Sequence, residues 1–312
     1  MDTLKEFFFR ELCELLGAAE GFSNTFNRMK SAVTGKDVNQ LLETYSDQCQ
    51  YQSRVLKEYL KEVVFEAPQS HPLIQSLKDE AKRFVSFEGS SHIRDLAVLY
   101  ITQKIKHYEI ASFETLLILA KDLGLEEEID MLEALRIKVG VEDNETHELI
   151  KNTLQSAHRD HFEEECIQLL GAVIYHKVEE EKSFKEVLES LKEQCNSSPL
   201  SESVLRMLQK RDEVIHLLHS IQDDLNYEHQ TYEFTSAKAI SKQVRISIQP
   251  LIKSKIKDAA IRSFLHKVHQ MDIGESELLS FMIDYLEREE WKIVLNKLKA
   301  IEITEDQTLF QV

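Results

Sequence analysis

From Leu4 to Val33, apolar side chains return at every third or fourth position: Leu4, Phe8, Leu12, Leu15, Ala19, Phe22, Phe26, Met29, Val33. Such a stripe winds along one side of a helix and cannot lie flat on one face of a strand. No breaker ends it before Thr34-Gly35, with Gly35 read as a left-handed helix cap. The same economy holds throughout. Only 8 glycines and 4 prolines occur in 312 residues. A sheet protein of this size needs many tight turns, and turns consume such residues. The chain is therefore expected to be all-α, with long helices and few loops.

Further stripes follow. Val38, Leu41, Tyr45, Cys49, Leu56, Tyr59 and Val63 mark a second helix, stopped by Pro68 and Pro72. A short linker helix spans about Leu73 to Phe84. Ser91 or a neighbour caps a third long helix, Ile93 to Leu123, which Gly124 ends. A fourth starts near Glu126 and runs into the 140s or 150s, with a weak spot from Gly140 to Asn144. Later helices read at 147–194, 201–226, 254–286 and 288–303, with a linker segment at 227–250. Four amphipathic helices of this length make a bundle, and the plan occurs twice.

The duplication is also visible residue by residue. The run from Ile93 to Ile110 aligns without gaps on Ile256 to Ile273. Asp95/Asp258, Ala97/Ala260, Lys104/Lys267, Ile110/Ile273 and Glu114/Glu277 are identical pairs. Periodicity does not demand matches at charged positions, so a repeated unit of about 155 residues is the better reading. The domains are placed at 1–152 and 153–312.

The net charge of −17 disfavours nucleic acid and anionic membrane surfaces as partners. No apolar run approaches the roughly 20 residues that span a bilayer. The first residues mix charge into their apolar positions, unlike a signal or transit peptide. Cys13, Cys49, Cys166 and Cys195 lack paired spacing and read as reduced thiols of a cytoplasmic protein.

The run Gln103-Lys104-Ile105-Lys106-His107-Tyr108-Glu109-Ile110-Ala111-Ser112 resembles the Gln-Lys-Val-Glu-His-Tyr-Glu-Ile-Ala segment of the YciE/YciF-type ferritin-like family. The resemblance covers roughly residues 4–150 and, through the repeat, extends faintly over the rest. It implies two tandem ferritin-like four-helix bundles. It also implies a two-metal carboxylate site in a bundle core, holding iron or manganese on Glu and Glu-x-x-His ligands.

Most of those ligand positions are lost in the first bundle. The first-helix position falls on Ala19. The Glu-x-x-His position falls on Asp47 and Gln50. The fourth helix offers Leu135-Arg136-Ile137-Lys138, with two cations where carboxylates belong. Glu109 remains and faces the core. A cation could neutralise it and fill the vacated space. In the second bundle, Glu213 and His216 have Glu-x-x-His spacing, and Asp272 matches Glu109. Glu181 is a first-helix candidate, although a Leu-Leu-Gly-Ala match would put Val173 there. Glu302 and Glu305 are candidates in the last helix. For Glu213 and His216 the plain alternative is a solvated helix face.

Two functions compete. One is a non-catalytic, stress-associated helical protein that self-associates as a homo-oligomer, a dimer, with one of Phe7, Phe8 and Phe9 serving either the dimer contact or the interface between repeats. It needs no cofactor. The other is an iron- or manganese-dependent redox protein using the second bundle, with Glu213, His216 and Asp272 as candidate metal ligands and Glu109 the matching candidate of the first bundle.

Overall fold

The computed structural model describes residues 3–61, 63, 71–157, 159–225, 235–252 and 254–310. Its elements run α1 (Leu4–Met29), α2 (Lys36–Leu60), α3 (Pro72–Val85), α4 (Ser91–Leu123), α5 (Glu126–Ser156), α6 (Arg159–Lys192), α7 (Ser198–Leu225), α8 (Thr235–Ser247), α9 (Lys255–Tyr285) and α10 (Glu289–Phe310). All are helices. Pro68 and His158 lie outside the described residues. No described helix is long and apolar enough to cross a membrane.

Local chemistry sets the helix ends. The Thr3 side chain accepts a hydrogen bond from Glu6 N at 3.1 Å and caps α1. Gly124 ends α4 in the left-handed conformation, φ 67°. Gly35 does not adopt that conformation. Its φ is −66°, and it stands at the start of α2 rather than the end of α1. Glycine is needed there for space, because a Cβ would sit 2.5 Å from Asp95 Oδ2. Gly140 does not break α5, which continues to Ser156. The break lies instead between Ser156 and Arg159, so the helix expected from 147 to 194 is divided between α5 and α6.

The order long, long, short, long, long occurs in α1–α5 and again in α6–α10. In each half the first two long helices pair, as do the last two, and the two pairs close into a four-helix bundle. The two bundles meet through equivalent elements, α4 along α9 and α3 along α8. Residues 95 to 109 of α4 are buried without interruption. Over four turns every side of that helix is covered, by its own bundle and by the other. The identical pair Asp95 and Asp258 does identical work. Asp95 accepts from Thr34 N at 2.9 Å and Gly35 N at 2.8 Å. Asp258 accepts from Asn196 N at 2.6 Å and Ser197 N at 2.8 Å. Each carboxylate ties down the loop between the first two helices of its bundle.

Candidate metal centres and the buried charge network

In the first bundle Ala19 is fully buried and fills core space. Asp47 and Gln50 point to solvent. Glu109 is buried and pairs with Lys106 Nζ at 2.9 Å, while Cys49 Sγ donates to it at 3.7 Å. Lys106 also lies over the rings of Tyr45, 4.2 Å from the centroid, and Phe26, 5.5 Å away. The cation in this core is thus Lys106, one helical turn before Glu109, and neither of the fourth-helix cations. Arg136 pairs with Glu114 at 3.1 Å, and Lys138 stacks on Tyr51 at 4.4 Å.

In the second bundle Glu213 and His216 do not join the core. Both are exposed, and Glu213 pairs with Lys210 on its own helix at 2.7 Å. The buried face of α7 runs through Met207, Arg211, Val214 and Leu218, which sets Glu213 and His216 to one side. Four other carboxyl groups do converge: Glu181, Asp272, Glu302 and Glu305, all buried. Arg211 enters from α7. It donates through Nη1 to Glu181 at 2.7 Å and through Nη2 to Glu305. Lys177 from α6 reaches Asp272 at 3.3 Å and Glu302 at 3.0 Å, and Ser276 Oγ donates to Glu302 at 3.0 Å. Glu109 and Asp272, the matched pair, therefore each face an ammonium group.

A second layer lies where the bundles meet. Lys104 contacts Glu80 at 3.2 Å, Glu180 at 2.9 Å and Glu275 at 2.6 Å. Tyr100 Oη donates to Glu275 at 2.5 Å. The repeat partner of Lys104, Lys267, contacts Glu11 at 2.7 Å and Glu14 at 2.9 Å, and Tyr108 Oη donates to Glu14. All of these groups are buried.

Electrostatics within this interior follow from burial and from how the cations are shared. Burial pushes Glu302 up to about 8, Glu305 up to about 7 and Asp272 up to about 6, because the nearby cations offset only part of the cost. Glu180 is also raised, first by burial and then by Glu275 and Glu80. Glu275 goes the other way. Burial would raise it, but Lys104 and Lys177 together hold it down to about 2. Burial lowers His176 to about 4. Near neutral pH Glu302 keeps its proton and Glu305 is partly protonated, while Asp272 is largely ionised.

These cores do not fit a two-metal carboxylate centre. Such a centre needs a complete shell of anionic oxygen and imidazole. In the first bundle Ala19 and Lys106 break the shell. In the second, the guanidinium of Arg211 and the ammonium of Lys177 already occupy the acids a metal would need. Among the described residues, two groups of ligand atoms elsewhere lie within 4.8 Å of one another: Glu80, His176 and Glu275, and His107, Asp143, His147 and Glu277. Lys104 fills the first. In the second, His147 Nε2 lies 2.9 Å and His107 Nε2 3.2 Å from Glu277 Oε2, with His107 Nε2 3.5 Å from Asp143 Oδ1. The sequence left this group unassembled, because its members come from α4, α5 and α9, and only Asp143 and His147, four residues apart on α5, share a local spacing. Lys106, Lys177 and Arg211 were better signposted. Each is a basic residue on an apolar face, and buried cations mark buried acids.

Known proteins similar to this chain include one from Escherichia coli. Protein YciF of Escherichia coli (strain K12) is 23% identical over 132 residues, covering 40% of this chain and 76% of that protein. The crystal structure of the E. coli stress protein YciF aligns at 21% identity with a TM-score of 0.48, over 50% of this chain and 100% of that one. Residues 3–159 match the family described as Domain of unknown function (DUF892). With half its length matched, the chain belongs to this YciF-type family.

Proposed function

We propose that this chain is a non-catalytic, cytoplasmic helical protein of the YciF type, in which the chain's own cations replace the metals of a ferritin-like core. One observation carries the reading. In both bundles the retained third-helix acid, Glu109 or Asp272, faces a buried lysine, Lys106 or Lys177. A lysine held this way competes directly with a metal ion for the same oxygen atoms. The E. coli relative is described as a stress protein, and a stress-associated role is part of the proposal.

The association expected between chains takes place, in this reading, within one chain. Phe7 and Phe8 are fully buried inside it, and the equivalent helices α4 and α9 already pair. Light scattering should therefore return the 36.3 kDa of a single chain. A stable dimer would revise this part.

The decisive experiment is elemental analysis after expression in medium supplemented with iron and manganese, paired with ferroxidase and peroxide-consumption assays. The expected result is substoichiometric iron and manganese and no activity above buffer. Stoichiometric iron or manganese that disappears in Asp272→Ala would overturn the proposal in favour of the metal-dependent redox reading.

A further inference from the structure

The group formed by His107, Asp143, His147 and Glu277 lies outside both bundle cores, where α4 and α5 of the first bundle meet α9 of the second. Three of its ligand-atom separations are 2.9, 3.2 and 3.5 Å. A tetrahedral zinc ion with bonds of roughly 2.0–2.2 Å spaces its ligand atoms about 3.3–3.6 Å apart. Two imidazoles and two carboxylates are a donor set that such an ion accepts.

The surroundings are arranged as for a ligand sphere. His107 Nδ1 lies 3.2 Å from Gln270 Oε1. Donation to that acceptor leaves the Nε2 lone pair aimed at the group, the way metal-bound histidines are oriented. The His107 ring is seated against Gly274, where a Cβ would come within 2.7 Å of the ring. His147 packs against Phe281, with ring centroids 5.6 Å apart. Asp143, His147 and Glu277 are only partly buried, so an ion has a path in from solvent.

Gln103 is fully buried, and its side chain ends in the middle of the group. Its Nε2 lies 2.7 Å from Asp143 Oδ1, 3.1 Å from His107 Nε2, 2.7 Å from His147 Nε2 and 3.1 Å from Glu277 Oε2. An amide nitrogen has two hydrogens and cannot serve four acceptors. Meanwhile Gln103 Oε1 makes no hydrogen bond. A half-turn of the amide would point that orphaned oxygen at the same spot, where it suits a cation and not the amide's own hydrogens.

The repeat supplies an internal comparison. Glu114, the partner of Glu277, pairs with Arg136 at 3.1 Å and with His266 at 3.0 Å. There a protein cation satisfies the carboxylate. At Glu277 the ion-pair partners among the described residues are the two histidines.

We infer that His107, Asp143, His147 and Glu277 form a binding site for one divalent transition-metal ion, zinc by preference, that clips the two bundles together. With four protein ligands the site is structural and leaves no open position for chemistry. It is separate from the bundle cores and independent of whether those cores hold iron.

The test uses the full chain stripped with a chelator and titrated with Zn2+ alone, then with Co2+ as a spectroscopic substitute. One equivalent of Zn2+ should bind and raise the melting temperature. Co2+ should show the intense visible bands of tetrahedral coordination. His147→Ala and Glu277→Gln should each weaken zinc binding on the order of 100-fold, and His266→Ala should leave it unchanged. Metal-free melting curves establish that the variants fold, and Asp143→Asn stands in for either one that does not. No binding by the wild-type chain, a Co2+ spectrum of the hydrated ion, or equal affinity in the ligand variants would each overturn the assignment and leave the group held together by protons.

Discussion

Arg211 heads the fully buried side chains by size, and its guanidinium links carboxylates from two other helices, Glu181 of α6 and Glu305 of α10. A buried ion pair adds little over a well-packed apolar substitute, but removing one partner strands the other. Arg211→Ala should therefore cost about 3–5 kcal/mol in denaturant unfolding. The loss should shrink at pH 5, where the abandoned acids can take up protons. The unsubstituted chain should show its own pH dependence. Glu302 and Glu305, raised to about 8 and 7, hold protons in the folded state that they release when unfolded at neutral pH. His107 is raised as well: burial opposes the shift, but the hydrogen bond to Glu277 and the charge of Asp143 outweigh it. Where the native state binds more protons, stability falls as pH rises. The lowered groups Glu275 and His176 titrate below this range, at about 2 and 4. Stability should then decline between about pH 6.5 and 8. Glu302→Gln should flatten that decline in urea titrations run at several pH values. A rise over the same interval would contradict the assignment of protons to these acids.

At the scale of the element, the two loops tied by Asp95 and Asp258 can be tested separately. Each aspartate satisfies two backbone N–H groups at the start of a helix. Asp95→Ala and Asp258→Ala should each cost about 1–3 kcal/mol, the penalty for leaving such donors without a partner. They sit in different bundles and share no partner, so the double variant should equal the sum within about 0.5 kcal/mol. A larger coupling would mean that the loops communicate. These residues also show why much of the fold was legible. An identical charged pair at matching places in two apolar helices has no periodic cause, so it pointed to a repeated unit, and the structure gives the pair one tertiary role used twice. The helix end at Gly124 was legible because one residue fixes the local backbone. Pro72, read as a stop for the second helix, instead opens α3, and α2 already ends at Leu60. The continuity of α5 through Gly140 was not legible, since tertiary packing can override a residue's weak helix preference. The second-bundle ligands were misplaced for a related reason. Glu213 and His216 have the right spacing from each other, but spacing alone does not say which face of α7 is buried. Arg211, which does face the core, carries the wrong charge to be sought as a ligand. The group around His107 needs three helices in register before its residues become neighbours, and no local pattern encodes that.

For the whole molecule, the central fact is that α4 has no solvent-facing side of its own over four turns of its length. Residues 95 to 109 are buried, and part of what covers them belongs to the other half of the chain. A fragment ending at residue 157 would lose α9 and expose Lys104 and Tyr100 without Glu275 and Glu180. It would also uncover apolar surface along α4 that a stable monomer rarely leaves open. The missing helix is the repeat of α4, so a second copy of the fragment offers nearly the same surface. Residues 1–157 should therefore pair symmetrically, α4 against α4, as closed two-fold interfaces do. The full chain, which already contains both halves, should unfold in one cooperative transition by circular dichroism and tryptophan fluorescence. Its single tryptophan, Trp291, lies in α10 and reports on the second bundle, while the helical signal reports on both. Coincident midpoints are expected, because separating the bundles would strand Lys104 and Lys267 away from their acids. Sedimentation of the fragment decides the matter. A folded monomer would show that the interface is dispensable, and the internal pairing of α4 with α9 could no longer account for the burial of charge between the halves.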